Sequence, residues 1–481
     1  MAIGKVSFIL LIVSVLLMTD LFWKMSKIFF ILDYLVPYPP SENKSKKLLV
    51  VGVMSAQDHF KERESIRNTW GQLIDPKLVD LKFLIGSKIC PIAPPDRITP
   101  YVCEKWIIDT PHSPQLSTIN ILNNSGKAFD GYTGFTFIVK HNISVIRLGV
   151  YSRIFENCEC KKLRALLYDA ASGDKVASAT FLRANNSKTG DFFWKTVHPV
   201  KLPEGFEGEL KVTSDKNISV TCPSNVFKRG VIHNFEMQKG NFFEKFSEHS
   251  CMLVAFHYIL ENEEVLLKFL KEEETRTKRW KEKEKLIKYQ LEIESRTYKD
   301  ILFFDLIDVY KNLTLKLFEY LKWTQNIGGY KYILKTDDDV FVDVKTVLSV
   351  LTSHGYDDWD WWSCFREGFT PPKFGKWRDR LYPGKFYPPF PSGAGYVVTD
   401  NVAKQIVIKN SVEESTAGED VALSVWINKS LKRIPKKLNT SVAFWACGIA
   451  CSPIRPCNVL QLTWQQLHQT MQLLLSSESI C

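Results

Sequence analysis

Three consecutive carboxylates, Asp337-Asp338-Asp339, stand between the apolar runs Tyr332-Ile333-Leu334 and Val340-Phe341-Val342, and no other segment restricts the fold as much. The β-rich run reads as a strand that delivers the acids to its end, and a second short strand leads away. Three adjacent negative charges repel one another, so a folded chain holds them best around a counter-cation. A solvated turn is the plain alternative, but the flanking aliphatic and aromatic residues argue for partial burial. A calcium loop of the EF-hand kind needs Gly at its sixth and Glu at its twelfth position. Counted from Asp337 those places hold Val342 and Leu348, which excludes it. Hard divalent metals favour oxygen ligands, and one with open positions can hold a diphosphate.

At 481 residues the chain has room for two or three domains with real cores. An apolar content of 45% with 13% aromatic marks an ordered globular protein. The net charge of +10 is modest for this length, without an Arg-rich stripe or a nucleic-acid module, so nucleic acid is not an expected partner.

Val6 to Trp23 is almost wholly apolar and is followed by Lys24 and Lys27. Its length is near the roughly 20 residues that span a bilayer. Met18-Thr19-Asp20 is a poor cleavage site, so an uncleaved signal anchor is expected rather than a removed signal peptide. Charge does not orient it, since Lys5 faces two lysines. Asn-x-Ser/Thr triplets at Asn43, Asn123, Asn142, Asn185, Asn217, Asn312, Asn428 and Asn439 all follow the anchor, which suits a luminal body. All 11 cysteines also lie beyond it, and an oxidising compartment would let several pair. The expectation is a single-pass type II membrane protein.

Residues 1–5 then read as a cytoplasmic tail, 6–23 as the anchor and 24–47 as a Pro- and Lys-bearing stem. Within 48–86, Leu48 to Met54 suits a buried parallel strand, Phe60 to Trp70 a helix and Lys82 to Ile85 a second strand. This β-loop-α-β opening is the start of an α/β, doubly wound sheet, whose ligand crevice lies at the carboxyl ends of its strands. Over 87–251 helical periodicity fades and short alternating runs recur, as in Thr136 to Val139, Val145 to Tyr151 and Leu163 to Tyr168. An inserted β-sandwich is expected there. Over 252–481 αβ character returns: a long helix from Leu260 to Glu294, a strand at Ile301 to Phe304, a helix from Leu313 to Trp323, a strand at Tyr332 to Lys335, a strand around Gly395 to Thr399 and a helix from Glu419 to Asn428.

Five segments then fall in a known order. Arg63-x-x-Ile66-Arg67-x-Thr69-Trp70-Gly71 comes first. Glu294-x-x-x-Tyr298-x-Asp300 follows, with Asp305, Asp308, Tyr310, Leu313, Thr314 and Lys316. Next are Lys335-Thr336-Asp337-Asp338-Asp339, Phe390-x-Ser392-Gly393-x-Gly395-Tyr396 and Gly418-Glu419-Asp420-Val421. In this order they resemble the motifs of the β1,3-glycosyltransferase family, galactosyltransferase type, over roughly Leu48–Gly86 and Leu291–Leu431. Trp361-Trp362, Phe365-Arg366, Gly375-Lys376-Trp377 and landmarks such as Leu202-Pro203-Glu204-Gly205-Phe206 narrow the resemblance to members with a long insertion at the same place.

The resemblance implies a GT-A (Rossmann-like) catalytic domain of doubly wound mixed sheet, with the β-sandwich inserted in it. It implies inverting transfer of N-acetylgalactosamine from UDP-GalNAc, in β1,3 linkage, to a β-linked N-acetylglucosamine of protein O-mannosyl glycans. The expected place is the Golgi apparatus or endoplasmic reticulum membrane. UDP-galactose or UDP-N-acetylglucosamine as donor is the near alternative, and a non-catalytic glycan-binding protein the distant one. Many relatives carry a His near the C-terminal end that completes the metal shell; Pro456-Cys457-Asn458-Val459 holds no equivalent, and His468 stands farther along.

By the same resemblance, Asp337 and Asp339 would ligate Mn²⁺, and Asp338 would bind donor hydroxyls. Asp420 would act as the base that takes the acceptor proton, where its residue-level alternative is helix capping. Glu419 would orient loop or sugar. Gly393 and Gly395 would let backbone approach the donor, or form a plain tight turn. Arg67 would pair with diphosphate or uracil, with a structural ion pair as the equal alternative. Trp377 would stack on the acceptor sugar, or simply pack.

Overall fold

The computed structural model describes residues 47–439 and 444–445, apart from 109–116, 119–120, 185, 187, 228–229, 240–241, 246–248, 356–357, 381 and 411–417. The expected tail, the anchor at 6–23, nearly all of the stem, Asn43, Asn185, His468 and the last cysteines lie outside the described residues. Among those described, no helix is long and apolar enough to cross a membrane.

Seven strands make the principal sheet: β1 (Lys47–Met54), β2 (Val79–Lys88), β3 (Ile301–Ile307), β4 (Tyr330–Asp337), β5 (Trp361–Arg366), β6 (Phe390–Thr399) and β7 (Lys437–Asn439). Their order across the sheet is β3-β2-β1-β4-β6-β5-β7. The first four run parallel, and β6 turns antiparallel between β4 and β5. Helices cover both faces, so the sheet is doubly wound and mixed.

Period-2 alternation explains which helix lies where. Leu49, Val51 and Val53 of β1 face one core with Ile66 of α1 (Phe60–Asn68), Leu291 of α2 (Glu273–Tyr298) and Val347 of α4 (Val344–Ser353). Val50 and Met54 face the other, with Leu317 and Tyr320 of α3 (Leu313–Ile327), Ile406 of α5 (Asp400–Lys409) and Trp426 of α6 (Glu419–Ser430). Gly52 occupies the remaining inward place because the Tyr320 ring lies there: a β-carbon would come within 2.4 Å of it. Each fully buried aliphatic side chain of this kind stabilises the fold by about 1.5–3 kcal/mol.

Between β2 and β3 of this sheet the described residues form two larger antiparallel sheets and a small closed barrel of three strands. One has five strands, with Ile143–Tyr151 flanked by Val254–Leu260 and Phe192–Leu202. The other has six, centred on Gly134–Val139 and Glu207–Ser214. They share a core in which Phe137 of the six-stranded sheet meets Phe256 of the five-stranded sheet at 5.3 Å between ring centroids.

Two expectations about this region are corrected. The five-stranded sheet runs on through Val254–Leu260, beyond Cys251, because Leu260 still pairs with Ile143. The single helix expected from Leu260 to Glu294 is therefore a strand end, a helix at Glu263–Lys271 and then α2, with Glu272 between the two helices. The strand Phe192–Leu202 escaped notice because its alternation breaks. Its register with the neighbour shifts between Thr196 and Val200, where Pro199 has no N–H to give. Disulfides join Cys90 to Cys103 and Cys158 to Cys160, and Cys251 and Cys364 are also disulfide-bonded.

Candidate active site

β4 ends at Asp337, and the chain turns through Asp338 and Asp339 beside the end of β1, where the Asp338 N–H donates to Met54 O at 3.1 Å. The carboxyl ends of β1 and β4 therefore carry the acids, as expected for a doubly wound sheet. On the other side of β4 lies β6, in register through Thr336 and Gly395. The Thr336 hydroxyl donates to Ala394 O at 2.7 Å and the Ser363 hydroxyl to Gly395 O at 2.7 Å, which pins the glycine-bearing stretch of β6.

Lys335 ties these pieces together. It is buried, and its ammonium donates to Gly393 O at 2.6 Å, to Asp337 Oδ1 at 2.7 Å and to Glu419 Oε1 at 2.5 Å. Burial alone would lower its pKa, but Asp337 and Glu419 outweigh burial and hold it above the ordinary lysine range. One ammonium thus joins the end of β4, the middle of β6 and the start of α6. Lys335 and Asp337, two apart on a strand, share a face.

α6 begins with Glu419 and Asp420 after Gly418. The Asp420 Oδ1 accepts from the Val421 N–H at 2.8 Å. Burial raises its pKa above the usual aspartate value, while that N–H, Lys335 and Arg366 oppose the shift. A β-carbon built on Gly393 would sit 3.4 Å from Asp420 Oδ2, so glycine leaves the space beside this carboxylate open. Glu419 is likewise pushed up by burial, against Lys335.

The three acids of the triplet differ in their surroundings. Asp338 accepts from or pairs with His59 Nδ1 at 2.8 Å, and the hydrogen bond to Asp338 draws the imidazole pKa up to about 9, against burial. The Asp339 carboxyl is pushed up to about 7 by burial and by the charges of Asp337 and Asp338. Negative charge is thus in excess over the cations His59 and Lys335, and all the donors are hard oxygens. Among the described residues no group of three or more His, Cys, Asp or Glu forms a metal-holding cluster. Two carboxylates from one turn fit a hard divalent ion whose other positions go to water or phosphate, not a closed protein cage.

Arg67 is not brought to this cluster. It bonds Glu294 Oε1 at 2.6 Å and both oxygens of Asp300 at 2.7 and 2.9 Å, and it lies over the rings of Tyr298 and Phe83. Of the two roles open from sequence, the structural ion pair matches these contacts. Arg63, fully buried, shares Glu294 and holds the loop after β1 through Ser55 and Ala56.

Trp377 is exposed, and its indole bonds the Tyr310 hydroxyl. Burial and the charges of Glu419, Asp420 and Asp337 push the Tyr310 phenol up to about 12, so this ring sits within the field of the acidic site. Lys335, His59 and Tyr310 were not singled out from sequence for roles of their own. A lysine inside an apolar strand, two places before an acid, is the one signal that pointed to any of them. Among the glycosylation triplets, Asn217 and Asn428 are exposed, whereas the half-buried Asn312 amide donates to Ile307 O at 2.9 Å. Asn142 accepts from the Glu204 N–H at 2.8 Å. Nothing is described of the side chains of Asn123 and Asn439.

Residues 279–435 match the galactosyltransferase family model, a span that contains β4, β6 and α6. The UDP-GalNAc:β-1,3-N-acetylgalactosaminyltransferase 2 of Xenopus laevis is 28% identical over 451 residues, covering 87% of this chain and 89% of that protein. The chain is thus similar to β1,3-glycosyltransferases along most of its length, with a galactosyltransferase domain over residues 279–435. The human protein of the same description is 28% identical over 424 residues, 84% of this chain and 83% of its own length. Mouse β-1,3-galactosyltransferase 5 is 30% identical over 201 residues, 37% of this chain and 63% of its own. The long similarity, over 87% of the chain, therefore includes most of the region between β2 and β3. A domain of this kind implies a sugar-nucleotide donor and a glycan acceptor.

Proposed function

We propose that this chain transfers N-acetylgalactosamine from UDP-GalNAc in β1,3 linkage to a β-linked N-acetylglucosamine, as on protein O-mannosyl glycans. The observation that carries this reading is the junction at Lys335, which holds Asp337, the Gly393 carbonyl and Glu419 within 2.7 Å of one ammonium. It brings the acids at the end of β4 to the start of α6, which supports reading Asp337 and Asp339 as the diphosphate side and Asp420 as the base. Similarity along most of the chain to proteins described as N-acetylgalactosaminyltransferases supports the choice of donor.

In this reading Asp337 and Asp339 would hold Mn²⁺, which when bound supplies positive charge against the departing diphosphate. Asp420 receives the proton of the acceptor hydroxyl as its oxygen forms the new bond to the anomeric carbon. The bond from that carbon to UDP breaks, and UDP leaves with the electron pair, so the configuration inverts. Burial raises the proton affinity of Asp420 and so suits it to this task. Gly393 leaves room beside the base, Asp338 is positioned by His59, and Glu419 is steered by Lys335. The chain would act in the Golgi or endoplasmic reticulum lumen, behind the 6–23 anchor, with the β-region that runs on to Leu260 as an inserted β-sandwich.

The test is a donor panel of UDP-GalNAc, UDP-galactose and UDP-N-acetylglucosamine with a β-linked N-acetylglucosamine glycoside, using wild type and Asp420→Asn. Transfer from UDP-GalNAc, lost in Asp420→Asn while UDP binding persists, is the expected result. Turnover only with another donor refutes the donor assignment. Absence of any transfer with retained glycan binding favours a binding protein instead.

A further inference from the structure

The segment between β5 and β6, residues 367–389, connects the acidic site to the six-stranded sheet of the region between β2 and β3. On the site side, Tyr387 packs with Phe390 and Val421, the latter adjacent to Asp420, and its hydroxyl donates to Asp379 Oδ2 at 2.8 Å. Trp377 bonds Tyr310, and Lys376 lies 4.6 Å from the Trp377 ring centroid and 5.2 Å from that of Tyr310. The same segment exposes Phe369, Phe374, Trp377 and Phe386. Exposed aromatic faces next to a sugar-transfer site suit the apolar side of a pyranose.

On the far side, three glutamates of the six-stranded sheet grip this segment. Arg378 Nε pairs with Glu236 at 3.0 Å and its guanidinium stacks 3.4 Å over Phe235. Arg380 Nη1 pairs with Glu209 at 3.0 Å, and the Gly375 N–H donates to Glu207 Oε2 at 3.0 Å. Gly375 has φ +71°, a conformation that favours glycine, so the turn before Trp377 is specified as well as held. The Arg380 side chain is 2% exposed and that of Glu236 8%, so these are not surface ion pairs that solvent weakens. Residues 367–389 thus carry exposed aromatic rings while Arg378 and Arg380 are seated on another sheet.

We propose that Glu207, Glu209 and Glu236 are positioning residues for acceptor recognition, and that the β-region between β2 and β3 completes the acceptor side of the site by fixing Trp377 and its neighbours. This rests on the transferase reading above. The glutamates touch neither the acid triplet nor Asp420; they act through residues 375–380. The acceptor's chemical class is a glycan with an exposed apolar pyranose face.

The test uses the full chain and compares wild type with Glu209→Gln/Glu236→Gln, measuring transfer to a β-linked N-acetylglucosamine glycoside and hydrolysis of the UDP-sugar without acceptor. The expected result is a rise in acceptor KM of about tenfold or more, from misplacement of the binding rings, with donor KM and donor hydrolysis unchanged. A second arm, Trp377→Ala alone and combined with the glutamate pair, keeps the idea testable should the pair fold poorly. Both routes remove the same ring contact, so their effects on acceptor KM are expected to be less than additive. An unchanged acceptor KM in the folded pair variant, or full additivity with Trp377→Ala, overturns the proposal. A wild type that transfers no sugar refutes the transferase reading instead, and so the two failures are distinct.

Discussion

Replacing Lys335 by Met tests whether one ammonium organises the site. Methionine keeps most of the aliphatic length, so the loss is chiefly of charge and of three hydrogen bonds. Glu419, 8% exposed, would lose its partner at 2.5 Å; Asp337, 36% exposed, its partner at 2.7 Å; and Gly393 O its donor at 2.6 Å. Breaking a buried ion pair by removing one partner costs about 3–5 kcal/mol. The half-solvated Asp337 adds no more than ~1 kcal/mol. Glu419 can relieve its own stranding by taking a proton, which places the sum near the lower end, about 3 kcal/mol.

That relief sets the pH dependence. In Lys335→Met the folded-state pKa of Glu419 rises further above its ordinary 4.5, the direction burial already imposes. A raised carboxyl contributes stability that is fully present below the unfolded pKa and is lost as pH rises through the folded one. Wild-type Glu419 is already raised to about 8, so the deficit of Lys335→Met against wild type is expected to stay level from pH 4.5 to about 8 and to widen above it. Urea unfolding of both chains across this range, with Lys335→Met/Glu419→Gln as a third, is the assay. The double variant strands no buried carboxylate at position 419 and is expected to recover about 2 kcal/mol relative to the sum of the single changes. Additivity within about 0.5 kcal/mol would refute the idea that Lys335 and Glu419 are one unit.

Arg67→Met is expected to cost about 3 kcal/mol through loss of the Glu294 and Asp300 pairs, with UDP affinity unchanged by calorimetry; a tenfold weaker UDP affinity in the folded variant would restore Arg67 to the donor site. Gly393→Ala adds a methyl at an ordinary 3.4 Å from Asp420 Oδ2, so unfolding midpoints are expected to hold while transfer falls; full transfer would show that no substrate enters that space. Because Asp420 must be deprotonated to act and its pKa is raised by burial, kcat/KM is expected to fall with decreasing pH along a limb centred above 3.8; a limb at or below 3.8 would remove Asp420 as the base.

The principal sheet was legible where short apolar runs were unbroken, as befits parallel strands buried on both faces. Leu48 to Met54 is apolar at every place but Gly52, and both of its faces are covered. Asp337 to Asp339 was legible as a candidate because it interrupts apolar runs with hard oxygen donors, whereas Gly393, Gly395 and Glu419-Asp420 became candidates through the family resemblance. What stayed hidden has physical causes. Val254–Leu260 reads equally as a strand or as the start of a helix, since a short apolar run carries no period of its own. The Arg378–Glu236 and Arg380–Glu209 pairs join residues far apart in the chain, and an ion pair leaves no periodicity for a sequence to display. Arg67 lay beyond sequence alone because a guanidinium serves phosphate and carboxylate with the same fork.

The position of Asp420 follows from the topology of the sheet. β4 is the last strand of the parallel set and β6 is antiparallel to it, so the end of β4 meets an extended segment rather than another parallel strand's loop. Glycine at 393 keeps that segment bare, and α6 can then start close enough for Lys335 to reach Glu419. Once there, Asp420 is subject to two opposed influences. Burial raises its proton affinity, and the N–H of Val421 at 2.8 Å, with Lys335 and Arg366, lowers it. A carboxylate fully stabilised by donors would be too weak a base, and one buried without them would be protonated before the acceptor arrived. On the proposed transferase reading, the antiparallel neighbour, the bare strand and the helix start together suit Asp420 to the role of base.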